Sequence, residues 1–213
     1  MEQLIKERII GKEKKQEKSR AEDLKITDFI IQATLGTGTF GRVRQVRWKK
    51  KPDTAEVLAL KMLKKTEIVR LNQVEHIKNE KNILLETNHP FIVEMKNCFQ
   101  DEKYVYMLLE YVSGGELFSR LRKDGRFSND VSLFYATQII LAIHYLHQRN
   151  ILYWDLKPEN LLIDKHGHIK LTDFGFAKHL QNDRAYTLCG KFIIYLFIHL
   201  FIYLWLINVN IMI

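Results

Sequence analysis

Cysteine is scarce in this chain, with Cys98 and Cys189 as the two among 213 residues. A disulfide framework requires more cysteines, and no secretory signal opens the sequence, so we expect a reducing compartment. Glu2 follows Met1, so the glycine that N-myristoylation requires is missing. These absences favour a cytoplasmic protein, with the nucleus as an alternative.

Acidic residues are outnumbered, with 25 aspartates and glutamates against 33 lysines and arginines, and the formal net charge is +8. The densest basic stretch, residues 42–51, contains one aromatic residue, Trp48, and no nucleic-acid-binding motif accompanies it. We interpret this stretch as a solvated strand and turn, and we predict no nucleic-acid partner. The hydrophobic content of 46% and the charged content of 27% are typical of a soluble globular protein.

Reactive side chains are concentrated at residues 153–160, Tyr-Trp-Asp-Leu-Lys-Pro-Glu-Asn, and at residues 172–175, Thr-Asp-Phe-Gly. Two short apolar runs around a glycine-containing turn lie between them, which predicts a hairpin that returns Asp173 beside Asn160 and Asp155. Carboxylate and amide oxygens are ligands that Mg²⁺ prefers, and Lys157 adds a cation. Asp155 would be left free to receive a proton from an attacking hydroxyl. This layout suits phosphoryl transfer, and the alternative is a loop of solvated charges.

A glycine-rich stretch occupies residues 35–43, Leu-Gly-Thr-Gly-Thr-Phe-Gly-Arg-Val. A strand rather than a helix follows it, which argues against a dinucleotide-binding fold. The pattern favours a hairpin whose backbone can approach phosphate groups closely. The alternative is an ordinary glycine turn.

Lys61 lies in the middle of an apolar strand, where an unpaired charge is costly. Glu80 shares the apolar face of the following helix with Ile77 and Leu84, so it is the expected partner. Such a pair would direct the Lys61 amine at phosphate oxygens. A purely structural salt bridge is the alternative.

A further strand at residues 104–111 is broken by Ser-Gly-Gly at 113–115, and a long amphipathic helix follows. The break predicts a hinge between two lobes. His144 and His147 on the helix are interpreted as surface or packing residues rather than metal ligands. The stripe predicted to form core comprises Val131, Phe134, Tyr135, Ile139, Ala142, Ile143 and Leu146.

The ordered set of motifs resembles a eukaryotic serine/threonine protein kinase, and it is most similar to the cAMP-dependent protein kinase catalytic subunit group. The resemblance covers residues 29–190. Besides the motifs above, it rests on Asn-Glu-Lys at 79–81, His-Pro-Phe at 89–91, Gly-Gly-Glu-Leu-Phe at 114–118, Leu-Thr-Asp-Phe-Gly-Phe-Ala-Lys at 171–178 and Thr-Leu-Cys-Gly at 187–190.

The resemblance implies an α+β, bilobal protein kinase-like fold with a complete β-rich N-lobe and an incomplete helical C-lobe. Residues 1–28 would form a charged N-terminal arm. The partial kinase domain would comprise an N-lobe at 29–109, a hinge at 110–115 and a partial C-lobe at 116–190. Residues 191–213 would be an apolar tail outside the family pattern.

The same resemblance assigns roles to individual residues. Asp155 would be the catalytic base, Lys157 would steady the γ-phosphate, Asn160 and Asp173 would bind Mg²⁺, and Thr187 would be the activating phosphorylation site. The implied ATP-binding residues are Leu35, Gly36, Gly38, Gly41, Val43, Ala59, Lys61, Glu80, Glu110, Val112, Glu116 and Leu162. ATP and Mg²⁺ would be the cofactors, and the partners would be protein substrates and a cAMP-binding regulatory subunit.

Two departures from the family pattern predict impaired activity. Trp154 stands where most such kinases have an arginine that pairs with the phosphorylated activation loop, and indole offers no charge. After Gly190 the family pattern stops, and residues 192–213 contain no Asp, Glu, Lys or Arg. That tail is interpreted as a membrane anchor, a core helix or translated non-coding sequence, and the abrupt loss of pattern favours the third interpretation. The alternative function is therefore a catalytically impaired ATP-binding fragment that associates with membranes through its tail.

Overall fold

The computed structural model describes residues 24–50 and 56–180. These residues pack into two compact units. The first, here called the sheet unit, contains the described residues up to Glu86 together with Glu94–Tyr111, and the second, the helical unit, contains Thr87–Val93 and the residues from Val112 onward. Most of the predicted arm, Thr187 and the predicted tail lie outside the described residues. The predicted α+β class is confirmed.

The sheet unit is built on five antiparallel strands in the order β1-β2-β3-β5-β4. The strands are β1 Phe29–Gly38, β2 Gly41–Trp48, β3 Val57–Lys64, β4 Met95–Gln100 and β5 Tyr104–Glu110. Two helices, α1 Lys65–Arg70 and α2 Val74–Glu86, connect β3 to β4. The Gly-rich stretch therefore forms the β1–β2 hairpin, as predicted.

Alternation along β3 separates the two faces of this sheet. Leu58 and Leu60 pack with Val46 and Leu108 in an apolar cluster on one face. Because successive strand residues point to opposite faces, Ala59 and Lys61 lie on the other face. Lys61 is thus kept out of the apolar cluster by its position in the strand.

The helical unit contains α3 Leu117–Asp124 and α4 Asn129–Gln148, followed by two small sheets. Ser128 caps α4 by accepting a hydrogen bond from the Val131 N–H. Strands β7 Leu161–Ile163 and β8 Ile169–Leu171 pair antiparallel, which confirms the predicted hairpin, and β6 Ile151–Leu152 pairs with β9 Lys178–His179.

The apolar stripe predicted for α4 is correct in part. Tyr135, Ile139, Ala142, Ile143 and Leu146 are buried, whereas Val131 and Phe134 are 39% and 44% exposed, so their assignment to the core was wrong. The buried face instead includes the polar residues Ser132 and Gln138. Gln138 belongs there because its Oε1 accepts a hydrogen bond of 2.9 Å from the Ile169 N–H of β8. Within residues 24–50 and 56–180, no helix combines the length and apolar character needed to cross a membrane.

Residues 87–93 pack with the helical unit, although the sequence-based domain boundaries placed them in the N-lobe. Ile92 forms a parallel bridge with Leu171. The Leu171 N–H donates to the Phe91 carbonyl at 2.8 Å, and the Val93 N–H donates to the Leu171 carbonyl at 2.9 Å. The segment therefore extends the edge of the β7–β8 hairpin.

Candidate active site

The three loop glycines serve two different purposes. A Cβ added to Gly36 or Gly38 would meet no atom within 4 Å, so the backbone there is open to an approaching ligand. A Cβ on Gly41 would lie 1.8 Å from the Met62 carbonyl oxygen in the adjacent strand β3. Gly41 is therefore required by the packing of the sheet itself.

This difference predicts unequal effects of two alanine substitutions in one hairpin. Gly41→Ala should destabilise the sheet unit by about 1–3 kcal/mol or more, because a main-chain carbonyl must move. Gly38→Ala, at the residue paired with Gly41 across the hairpin, should stay within about 0.5 kcal/mol of the parent. Urea denaturation followed by circular dichroism would measure both, and equal stability of the two variants would contradict the close packing at Gly41.

The predicted pair of Lys61 and Glu80 is present. The Lys61 Nζ lies 2.6 Å from the Glu80 Oε1, and the two side chains are 20% and 2% exposed. Helix α2 positions Glu80, whose neighbours Ile77, Ile83 and Leu84 are also buried. The Glu80 Oε2 is buried without a hydrogen bond among the described residues, which is a costly arrangement for a carboxylate. The ion pair therefore holds the amine of Lys61 in one place, and its cost is a buried carboxylate with one oxygen that accepts no hydrogen bond among the described residues.

Other predicted nucleotide-binding residues lie on strands of the same sheet as Lys61. Val43 pairs with Lys61 across strands β2 and β3, and Ala59 lies two residues away on the same face. Leu35 is exposed on β1. At the end of β5, the Glu110 Oε1 accepts a hydrogen bond of 2.8 Å from the Glu94 N–H. That carboxylate is thus used to fix the start of the neighbouring segment.

Three further predicted residues lie in the helical unit, where residues 112–116 run beside strand β7. The Gly114 N–H donates to the Ile163 carbonyl at 2.7 Å, and the Ile163 N–H donates to the Gly115 carbonyl at 2.8 Å. Glu116 forms a bridge with Leu162, and Val112 begins the segment. A Cβ on Gly114 would lie 2.5 Å from the Ile163 carbonyl oxygen, so glycine is needed for this close approach.

The Asp155 carboxylate accepts two hydrogen bonds through the same oxygen. Its Oδ2 lies 2.7 Å from the Lys157 Nζ and 2.9 Å from the Asn160 Nδ2. The Asn160 Nδ2 also donates to the Asp155 main-chain carbonyl at 2.9 Å. The expectation that Asp155 is left free was therefore wrong for one oxygen. The other oxygen, Oδ1, accepts no hydrogen bond within the described part of the chain, so it can still receive a proton.

Lys157 remains a cation at neutral pH. The hydrogen bond to Asp155 raises its pKa, and the negative charges of Asp155, Asp173 and Glu159 act in the same direction. An ammonium group is thus held beside the Asp155 carboxylate.

Asp173 occupies a backbone conformation that few residues adopt, with φ at 59°. Aspartate tolerates this left-handed region better than most residues, and such strain is concentrated at functional sites. The Thr172 N–H donates to the Asn160 carbonyl at 2.9 Å. The hairpin thus returns the chain beside Asn160, as predicted.

The next residue anchors this turn in the core. Phe174 is fully buried and contacts the Tyr153 ring edge-on, with 5.2 Å between ring centroids. The Tyr153 hydroxyl donates to the Thr172 carbonyl at 2.7 Å. Sequence spacing did not identify this supporting role of Tyr153, because no periodic pattern marks a hydrogen bond across nineteen positions. Trp154, the residue after the buried Tyr153, is 64% exposed.

The donor set of Asn160 and Asp173 fits a hard cation. Both hydrogens of the Asn160 amide are directed at Asp155, so its Oδ1 faces away from that residue. An amide oxygen and a carboxylate are the ligand types that Mg²⁺ takes together with phosphate oxygens.

A protein kinase domain is what the fold and these residues define. Residues 29–193 match the family model described as "Protein kinase domain", and the chain belongs to this family. The resemblance inferred from the sequence is confirmed.

Curated relatives place the chain near one group within the family. It is 53% identical over 165 residues to the human "cAMP-dependent protein kinase catalytic subunit PRKX", an alignment that covers 78% of this chain and 45% of that protein. The Saccharomyces cerevisiae "cAMP-dependent protein kinase type 3" is also 53% identical over 165 residues, with 78% and 40% covered. The Dictyostelium discoideum "cAMP-dependent protein kinase catalytic subunit" is 52% identical over 166 residues, with 78% and 25% covered. The chain thus spans less than half the length of these relatives.

Proposed function

We propose that this chain transfers the γ-phosphoryl group of ATP to serine or threonine hydroxyls of proteins. The observation that carries the proposal is the Asp155 carboxylate, with one oxygen held by Lys157 and Asn160 and the other available. Its relatives are named as catalytic subunits of cAMP-dependent protein kinases, which supports the same reaction class.

In this proposal the nucleotide is bound by the residues that the family resemblance assigns to it. The Lys61 ammonium, kept in position by Glu80, binds the α- and β-phosphates, and Glu116 binds the ribose. The open backbone at Gly36 and Gly38 lets amide groups approach the phosphates. The residues that frame the adenine are Leu35, Val43, Ala59, Glu110, Val112 and Leu162.

Asn160 and Asp173 would hold Mg²⁺ through the amide oxygen and the carboxylate. Bound Mg²⁺ would neutralise negative charge on the phosphate oxygens. The left-handed backbone at Asp173 fixes where its carboxylate emerges from the chain.

The chemistry of this chain's own residues follows from the contacts of Asp155. The acceptor hydroxyl gives its proton to the Asp155 Oδ1 as its oxygen forms a bond to the γ-phosphorus. The bond from that phosphorus to the bridging oxygen breaks, and ADP leaves with the electron pair. The Lys157 ammonium beside Asp155 stabilises the charge on the transferred group, since catalysis of this reaction is mainly positioning and charge neutralisation.

The proposed partners are protein substrates and, by analogy with the named relatives, a cAMP-binding regulatory subunit. Phosphorylation of Thr187 is proposed as the activating modification. Trp154 cannot pair with a phosphate group through charge, so we expect this activation to be weaker than in kinases that have arginine at this position.

The test uses three peptides that differ only in the acceptor, which is serine, threonine or tyrosine. With MgATP labelled at the γ-phosphate, the chain should label the serine and threonine peptides and leave the tyrosine peptide unlabelled. Lys61→Ala should lower the labelling about a hundredfold or more, whereas Lys64→Ala, at an exposed position of the same strand, should leave it unchanged. Equal loss in both variants, or labelling of tyrosine alone, would contradict the proposal.

A further inference from the structure

Three segments of the helical unit meet at a cluster of charged and aromatic side chains to which the proposed phosphoryl transfer gives no role. They are residues 87–93, the end of α4 with the turn after it, and the β7–β8 hairpin. The Asn88 N–H donates to the Tyr145 hydroxyl at 2.8 Å, and Ile92 bridges Leu171. The side chains of His89 and Arg149 contact the Tyr145 ring here, and Lys170 of β8 is near enough to act on His89 electrostatically. We call these four residues the His89 patch.

Tyr145 forms a fixed platform for the charged members of the patch. The Arg149 guanidinium carbon lies 3.6 Å from the centroid of the Tyr145 ring, and the His89 ring centroid lies 4.8 Å from it. The Arg149 Nη1 donates to the Tyr145 carbonyl at 3.4 Å, and the stacked guanidinium keeps its Nε and Nη2 N–H groups for further hydrogen bonds in its plane. The Arg149 side chain is therefore pre-oriented while its residue remains exposed.

His89 adds a hydrogen-bond donor to the patch. Its Nδ1 lies 3.2 Å from the Phe91 N–H, which donates to it. The neutral ring then carries its proton on Nε2. The patch thus offers one planar cation, one ammonium group and one neutral donor.

The electrostatic character of the patch is positive. Burial lowers the pKa of His89, and the positive charges of Lys170 and Arg149 lower it further. In residues 87–93, 144–150 and 164–171, the sequence contains Arg149, Lys165 and Lys170 but a single acidic residue, Asp164. The Asp164 Oδ1 accepts hydrogen bonds from the N–H groups of His166 and His168 at 2.8 and 2.9 Å, so this carboxylate is engaged within its own turn.

We propose that the His89 patch is a docking site for an acidic segment of a partner protein. A stacked guanidinium presents two parallel N–H groups that match a carboxylate, and Lys170 provides charge for a second one. Charge complementarity favours an acidic partner, and the small number of cations favours a peptide over nucleic acid. A nucleic acid would require a longer track of cations and an exposed aromatic face, and the Tyr145 ring is covered by Arg149.

The test measures binding of a fluorescein-labelled, glutamate-rich peptide to the full chain by fluorescence polarisation without ATP. The double variant Arg149→Glu with Lys170→Glu should weaken binding about tenfold or more. The matched control, Lys123→Glu with Arg126→Glu, makes the same charge change at exposed positions of the helical unit, and it should change the affinity less than about threefold. A peptide with glutamine in place of glutamate should bind neither the parent chain nor either double variant.

Thermal unfolding shows whether the charge-reversed variant is still folded. If it is not, a neutral double variant, Arg149→Gln with Lys170→Gln and here called the neutral pair, tests the proposal instead. We expect its affinity to fall between those of the parent and the reversed variant. Parent-like affinity in the neutral pair, or an equal loss in the control, would overturn the proposal. Tighter binding of a DNA oligonucleotide that the neutral pair abolishes would assign the patch to nucleic acid and would also overturn it. Because no nucleotide is present, these outcomes are independent of whether the chain phosphorylates peptides.

Discussion

Replacing Phe174 with alanine is expected to lower the free energy of unfolding of the helical unit by about 3–5 kcal/mol. The side chain is fully buried, so the substitution removes a whole ring and leaves a cavity beside Tyr153. Tyr153 in turn donates to the Thr172 carbonyl. The loss of packing should therefore also loosen the turn that holds Asp173.

Phe176→Ala is the matched control. It also removes a phenyl ring, two residues after Phe174, but the Phe176 side chain is 55% exposed. Its free energy of unfolding should stay within about 1 kcal/mol of the parent. Urea denaturation monitored by tryptophan fluorescence would measure both variants. If Phe176→Ala were as destabilising as Phe174→Ala, the burial difference between the two rings would not control stability in this turn.

Features set by local spacing could be predicted from the sequence. The β7–β8 hairpin followed from two apolar runs around a turn, and the pairing of Lys61 with Glu80 followed from helical periodicity and the cost of an unpaired charge in a strand. The hairpin depends on a pattern within a few residues, and the ion pair depends on such a pattern together with one contact between Lys61 and Glu80. The family motifs then predicted the order of the elements in residues 29–50 and 56–180, which the structure describes.

Features set by long-range packing could not be predicted. The two donors on Asp155 depend on the exact return of the chain at Asn160. Phe134 has the apolar character of a core residue, but the buried face of α4 is decided by the elements that pack on it, including the Ile169 N–H that recruits Gln138. Likewise, Gly41 fits a phosphate-binding pattern, whereas the lack of room for a Cβ beside the Met62 carbonyl is visible only in the paired strands.

The central claim is that Asp155 serves as the base in phosphoryl transfer from ATP to a protein hydroxyl. Asp155→Asn keeps the size of the side chain and an oxygen that can accept from Lys157 and Asn160, but it removes the proton acceptor. General base catalysis typically contributes about 10²–10⁴-fold, so transfer to the serine peptide should fall by that factor. Glu159→Gln is the control, because it removes a carboxylate at an exposed position of the same loop.

The decisive measurement is the single-turnover rate of phosphoserine formation at saturating MgATP, in the parent chain and in both variants. Nucleotide binding, followed as thermal stabilisation by MgATP, should be similar in all three proteins. The account predicts a loss of about 10²–10⁴-fold for Asp155→Asn and a parent-like rate for Glu159→Gln. A chain that binds MgATP and phosphorylates the peptide equally well with asparagine at position 155 would contradict it.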